Sequence, residues 1–333
     1  MKKLYIHVGL PKTGTTFLQE VVFPDTSFYY LGKKSEVSKN DISDPFLSLK
    51  YLQNADPGVS FAEMKVPSVL TSHLNFYREI ISDQEELLLS DELITGNPLL
   101  SCMGPLLVNC TQWIANINDP ELCFRRGISY AEYLIDSGDQ SALEAKRFLS
   151  SQNTISLKIQ RFLDAFDAEL GGVLLIKRDF GSWFTSLFLQ YIKINGKYPD
   201  SFTGNFTSLL VFAAAGFAFR WDYYMRDHNC SGFALGSSFS RSIQKEFGES
   251  SLTTVEYSSS KSVFSENLKK PLERYGINGS SCEKINRLNL DKNITKPYIS
   301  NKRLEHQVYD SRHQISRDLN ALIGTLGSLK VLE

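Results

Sequence analysis

Residues 7–19 read His7-Val8-Gly9-Leu10-Pro11-Lys12-Thr13-Gly14-Thr15-Thr16-Phe17-Leu18-Gln19. The apolar run entering this stretch, Leu4-Tyr5-Ile6-His7-Val8, is short and reads as a buried strand. Gly9 to Gly14 then forms a loop, and Thr15 or Thr16 opens a helix. Its apolar positions Phe17, Leu18, Val21 and Val22 share one face. The chain therefore begins with a strand–loop–helix unit.

The loop is suited to an anion. Consecutive backbone N–H groups and a helix N-terminus aim at one spot, and both favour negative charge. Thr13, Thr15 and Thr16 add hydroxyl donors, and Lys12 adds a positive charge. A loop built for nucleoside triphosphates needs G-x-x-x-x-G-K-[ST]. Gly9 and Gly14 have that separation, but Thr15 stands where the lysine belongs. The lysine sits inside the loop, at position 12. The Lys-Ser/Thr pair that serves terminal phosphates and Mg²⁺ is therefore missing.

The rest of the chain alternates strands and helices. A helix is expected over about 66–82, a strand at Glu86-Leu87-Leu88-Leu89-Ser90, and a helical stripe at Phe162, Leu163, Phe166 and Leu170 that Gly171-Gly172 ends. Val173-Leu174-Leu175-Ile176-Lys177 is the clearest strand, with Arg178 at its exit. Helices follow over about 182–192 and 205–227. Leu252 to Tyr257 reads as a strand, and a helix carries Val263, Phe264, Leu268 and Leu272. A charged amphipathic helix is expected beyond 301. This alternation predicts an α/β fold with a parallel sheet. Residues 97–150 and 196–235 read as helical insertions into one domain covering 1–333.

An arginine leaving a parallel strand lies in the usual ligand crevice of such sheets, and its forked donors suit a phosphate dianion. Ser186 follows Arg178 by eight residues, on the helix with Trp183, Phe184 and Leu187.

Pro11-Lys12-Thr13-Gly14-Thr15-Thr16 after a first strand resembles the 5'-phosphosulfate loop of sulfotransferases that use PAPS (3'-phosphoadenosine 5'-phosphosulfate). The longer stretch His7 to Gln19 is similar to bacterial members. Lys177 to Phe188 resembles the family's 3'-phosphate motif, and Ser90-Asp91-Glu92 resembles the Ser-x-Glu found after the second strand. The resemblance covers 1–31, 84–95, 155–195 and 235–280. It implies a P-loop-like three-layer fold with a central parallel sheet flanked by helices. It implies binding of PAPS, and of its product PAP, by Pro11, Lys12, Thr13, Gly14, Thr15, Thr16 and Phe17 at one end and by Arg178 and Ser186 at the other. Transfer to an acceptor hydroxyl or amine needs a base for the acceptor proton and positive charge on the leaving oxygen. Glu92 is the expected base, with Asp91 its rival, and Lys12 serves the leaving group. No metal is required. The basic glycine motif of animal cytosolic members is absent, and Lys292, Lys302 and Arg303 are candidates to replace it.

Composition fits this reading. The net charge is −1, with 42 % hydrophobic and 22 % charged residues, so no global basic excess points to nucleic acid. Lys2 and Lys3 precede too short an apolar run for a secretory leader, and Leu209 to Phe219 is short of the ~20 residues of a membrane helix. Five cysteines without C-x-x-C spacing point to neither a disulfide framework nor zinc. A cytoplasmic enzyme is expected, acting on a small-molecule, glycan or lipid-linked acceptor. The aromatics of 196–235 read as core more readily than as acceptor pocket. His7 is read as structural. A P-loop kinase-like phosphotransferase and a non-catalytic nucleotide-binding protein are the alternatives.

Overall fold

A computed structural model describes residues 1–9, 13–32, 68–90, 94, 106, 110–114, 117, 119–138, 155–195, 206–225, 237–258, 260–287 and 317–321. Five strands lie in one all-parallel sheet: β1 (Lys2–Gly9), β2 (Tyr29–Leu31), β3 (Glu86–Ser90), β4 (Ala168–Lys177) and β5 (Leu252–Glu256). Their order is β2-β3-β1-β4-β5. The near-continuous apolar runs of β1, β3 and β4 are what a parallel sheet covered on both faces demands. Leu4, Ile6 and Val8 on one face of β1, and Tyr5 and His7 on the other, are all buried.

The order places β1 in the middle. The chain builds β2 and β3 on one side of it, then crosses to build β4 and β5 on the other. The exit of β1 thus lies between the exits of β3 and β4, where the strand order reverses and parallel sheets hold their ligands.

One face of the sheet packs on three helical segments. The first is α1 (Thr15–Phe17), which continues as a π-helical turn, Leu18–Val22, and a 3₁₀ turn, Phe23–Asp25. The others are α9 (Lys261–Glu273) and α10 (Gly279–Arg287). Tyr5, Leu88, Leu174, Ile176 and Val255 meet Leu18, Val22, Phe264, Leu268 and Ile285 there. Helices α2 (Ser68–Ile80), α5 (Ile155–Phe166) and α8 (Ser237–Phe247) complete the same compact unit, which comprises 1–96, 151–177 and 238–288.

Two sequence expectations change here. Gly171 and Gly172 do not end a helix. Helix α5 stops at Phe166, Asp167 turns the chain at φ 51°, and the glycines lie inside β4. The register jumps from Leu4↔Leu170 to Tyr5↔Gly172, so Gly171 is the extra residue of a bulge. The cause is Tyr5: a Cβ on Gly171 would sit 2.6 Å from its ring. Leu170 accordingly belongs to the strand. The second change is β2, three residues long, which the periodicity does not reveal.

The second unit comprises 97–150, 178–237 and 289–333. It holds α3 (Thr111–Ile114), α4 (Pro120–Asp136), α6 (Phe180–Asn195) and α7 (Phe206–Met225). Helix α4 starts at Asp119, whose carboxylate accepts from the Glu121 N–H, with Pro120 in the first turn. Tyr130 of α4 stacks on Phe212 of α7 with ring centroids 5.6 Å apart. Leu209 to Phe219 is buried, as a core helix should be, and Phe212, Phe217 and Phe219 are core residues of this unit. No helix among the described residues is long and apolar enough to cross a membrane. Of the helix expected beyond 301, the described part is 317–321.

Candidate functional site

The loop after β1 is pinned at both ends. Thr15 lies directly over Gly9: a Cβ on Gly9 would fall 2.0 Å from the Thr15 methyl, so only glycine permits this closure. Gly14 takes the left-handed conformation, φ 81° and ψ 6°, and its carbonyl accepts the first helical bond from Leu18 N–H at 3.1 Å. The rings of Tyr257 and Phe264, 4.9 Å apart, cover Gly14 from the β5 side. Thr13 and Thr15 are buried, and Phe17 is buried in the core beneath the sheet. Any ligand contact of Phe17 would therefore come from its main chain. Thr16 lies in α1 by its backbone. Leu10, Pro11 and Lys12 lie outside the described residues, as do Asp91, Glu92, Lys292, Lys302 and Arg303.

Under the loop lies a buried polar network. His7 and Ser90 are register partners on β1 and β3, and His7 Nδ1 is 2.7 Å from Ser90 Oγ. The Gln19 amide donates to Ser90 O at 3.1 Å and to Ser90 Oγ at 3.2 Å. Ser90 Oγ thus links His7 and Gln19, while His7 Nε2 is buried without a partner among the described residues. Burial without a counter-charge pushes the His7 pKa down to about 3. A serine and a histidine at this distance have the spacing of a nucleophile and its base. Here both are buried, with Ser90 2 % exposed and His7 0 %, so the pair organises the strand exits instead.

Gln19 reaches Ser90 because the helix widens at Leu18–Val22. The wide turn is closed by Phe23 N–H donating to Leu18 O. Tyr30 of β2 supports it, donating its hydroxyl to Gln19 O at 3.0 Å. Sequence reasoning identified neither Gln19 nor Tyr30 as site residues. The readable signal was a glutamine among Phe17, Leu18, Val21 and Val22, the apolar face of the helix.

Beyond the exit of β3, Lys158 of α5 donates from Nζ to Ile94 O at 3.2 Å. Lys158 is 6 % exposed. Burial, and then the neighbouring Arg161 charge, lowers its pKa to about 8.

The second predicted element lies in the second unit. Helix α6 has its first N–H groups already bound: Gly181 N–H donates to Asn320 Oδ1 at 2.7 Å, and Ser182 N–H to Asp179 Oδ1 at 2.9 Å. Asn320 Nδ2 also donates to Asp179 Oδ1 at 2.8 Å. Burial works to raise the Asp179 pKa. The bonds from Asn320 and Ser182 and the Arg178 charge outweigh it, and the carboxyl lies below its usual range. Arg178 is half-buried, as is Ser186, whose hydroxyl donates to Ser182 O at 2.9 Å. An anion at this element would rely on side chains, with Ser186 turning its proton away from the helix, rather than on the helix N-terminus.

The first unit thus brings together Gly9, Thr13, Gly14 and Thr15 with His7, Gln19 and Ser90, at the exits of β1 and β3. No protein-family model, no curated protein and no solved structure matches the chain.

Proposed function

We propose that the chain is a PAPS-dependent sulfotransferase with a P-loop-like three-layer fold. The observation that carries this reading is the loop after central strand β1. Gly9 and Gly14 tie its ends, it opens at the reversal of strand order, and its lysine lies at position 12 rather than after Gly14. In this reading the close approach of Thr15 to Gly9 and the left-handed Gly14 fit a loop whose main-chain N–H groups would receive a 5'-phosphosulfate.

In this reading Thr13, Gly14, Thr15 and Thr16 hold the 5' end of the donor, with Pro11 shaping the loop and Phe17 anchoring the helix in the core. Arg178 and Ser186 take the 3'-phosphate. Lys12 places its charge on the oxygen that links phosphorus to sulfur. Glu92 accepts the acceptor proton as the acceptor oxygen or nitrogen bonds to sulfur and the sulfur–oxygen bond to the nucleotide breaks. PAP leaves, in line with the entering atom. A sulfuryl group carries less charge than a phosphoryl group, so the transfer runs without a required divalent ion. Residues 97–150 and 196–235 form the acceptor side, for a small-molecule, glycan or lipid-linked acceptor. Free thiols at Cys110, Cys123 and Cys282 fit a reducing cytoplasm.

The alternatives are a kinase-like phosphotransferase, against which the missing lysine after Gly14 counts, and a non-catalytic nucleotide-binding protein that keeps the same fold. Incubation with labelled PAPS and a panel of alcohols and amines separates the three. Label moving to an acceptor without Mg²⁺ supports the proposal. Mg²⁺-dependent ATP turnover supports the kinase reading, and tight nucleotide binding with no transfer supports the third.

A further inference from the structure

The two described residues flanking Asp91–Leu93, namely Ser90 and Ile94, are both held by buried side chains from other elements. Gln19, on the wide turn behind the anion loop, donates to Ser90 O and Ser90 Oγ. Lys158, near the start of α5, donates to Ile94 O. Neither arrangement is what packing alone would select. A glutamine 1 % exposed beneath a sheet keeps Oε1 without a partner among the described residues. A buried ammonium spends its charge on one main-chain carbonyl, where an apolar residue of similar length would fill the space without desolvation.

We infer that Gln19 and Lys158 are positioning residues that grip the chain on both sides of Asp91–Leu93, coupling the exit of β3 to the anion loop and to α5. The Gln19 grip is the more specific. The same residue belongs to the helical run that leaves the loop and is steadied through its carbonyl by Tyr30. A displacement of that run would be passed through one side chain to the strand exit. This inference rests on the sulfotransferase reading only in its consequence: if Glu92 is the base, the grip sets where the base stands.

The experiment uses the full chain and two readouts. Gln19→Met keeps the side-chain length and removes the donor. Tyr30→Phe removes one oxygen and is the second variant should Gln19→Met fail to fold. Lys158→Met tests the other side. Hydrogen exchange is followed on a peptide spanning 86–96 in the ligand-free protein. The expected result is at least about tenfold faster exchange in that peptide for Gln19→Met and Lys158→Met, and a smaller rise for Tyr30→Phe. Peptides of β4 and β5 should not change. In the transfer assay the same variants should lose about tenfold or more in kcat, while KM for PAPS and PAP affinity stay within about threefold. Unchanged exchange at 86–96 in all three variants overturns the inference. So does a loss confined to PAP affinity, which would make Gln19 a support of the loop alone. If the wild-type chain neither binds PAP nor transfers a sulfuryl group, the proposed function fails, while the exchange comparison still decides the grip.

Discussion

The side chains assigned to the proposed transfer carry the sharpest expectations. Lys12→Ala and Glu92→Ala should each lower sulfuryl transfer by about 10²–10³-fold, the usual worth of one electrostatic or one acid–base group. Measured together with PAP affinity, Glu92→Ala should leave binding intact. If both variants transfer at the wild-type rate, the assigned roles are wrong. His7 gives a separate test by pH. Its pKa in the folded chain, about 3, lies below the ordinary 6.5, so between these values the unfolded chain binds a proton that the folded chain does not. Stability from this group is present in full above pH 6.5 and is lost as pH falls toward 3. At pH 4.5 the loss is about 2–3 kcal/mol. His7→Asn, which keeps an amide atom near the Nδ1 position and does not titrate, should show a correspondingly flatter fall in urea stability between pH 7 and 4.5. An equal fall in both proteins would remove His7 as the cause.

At the scale of elements, Gly171 and Lys158 make opposite predictions. Gly171→Ala drives a methyl into the Tyr5 ring and should cost about 1–3 kcal/mol in denaturant unfolding. Pairing it with Tyr5→Leu should recover part of that cost, which ties the bulge to the ring rather than to glycine flexibility. Lys158→Met should stabilise. Its folded pKa of about 8, against 10.5 in the unfolded chain, means the full burial cost is present below pH 8. That cost, about 3 kcal/mol before the lost carbonyl bond is subtracted, fades as pH rises from 8 to 10.5. The gain from Lys158→Met should therefore shrink across that window, and a variant less stable than wild type at pH 7 would contradict it. Greater stability with slower turnover is the pattern of a residue retained for its task.

The same scale shows what the sequence made legible. β1, β3 and the 173–177 part of β4 could be read because strands buried on both faces are written as apolar runs, whereas in β5 only Val255 is buried and the signal is the β-branched run Thr253-Thr254-Val255. β2 could not, since Tyr29–Leu31 is too short to show a period, and its contribution is the Tyr30 hydroxyl. Gly171-Gly172 misled because two glycines ordinarily end a helix, and only the pairing with β1 reveals that Tyr5 needs the room. In the candidate site, the strand–loop–helix turn that joins Gly9 to Gly14 and Thr15 was legible from their spacing. Gln19 was not, because its role depends on a π turn that redirects one side chain, a change no periodicity reports.

For the whole molecule, the five-stranded parallel sheet places the loop after β1 at the reversal of strand order. The central claim is that the chain recognises a nucleotide carrying both a 5' and a 3' anion. Calorimetry of the full-length protein with PAP, and with ATP in the presence of Mg²⁺, tests it most directly. The account predicts one PAP per chain, bound at least about a hundredfold more tightly than ATP, with most of that preference lost in Arg178→Ala. Binding of ATP as tight as PAP, or a PAP affinity that Arg178→Ala leaves unchanged, would contradict it.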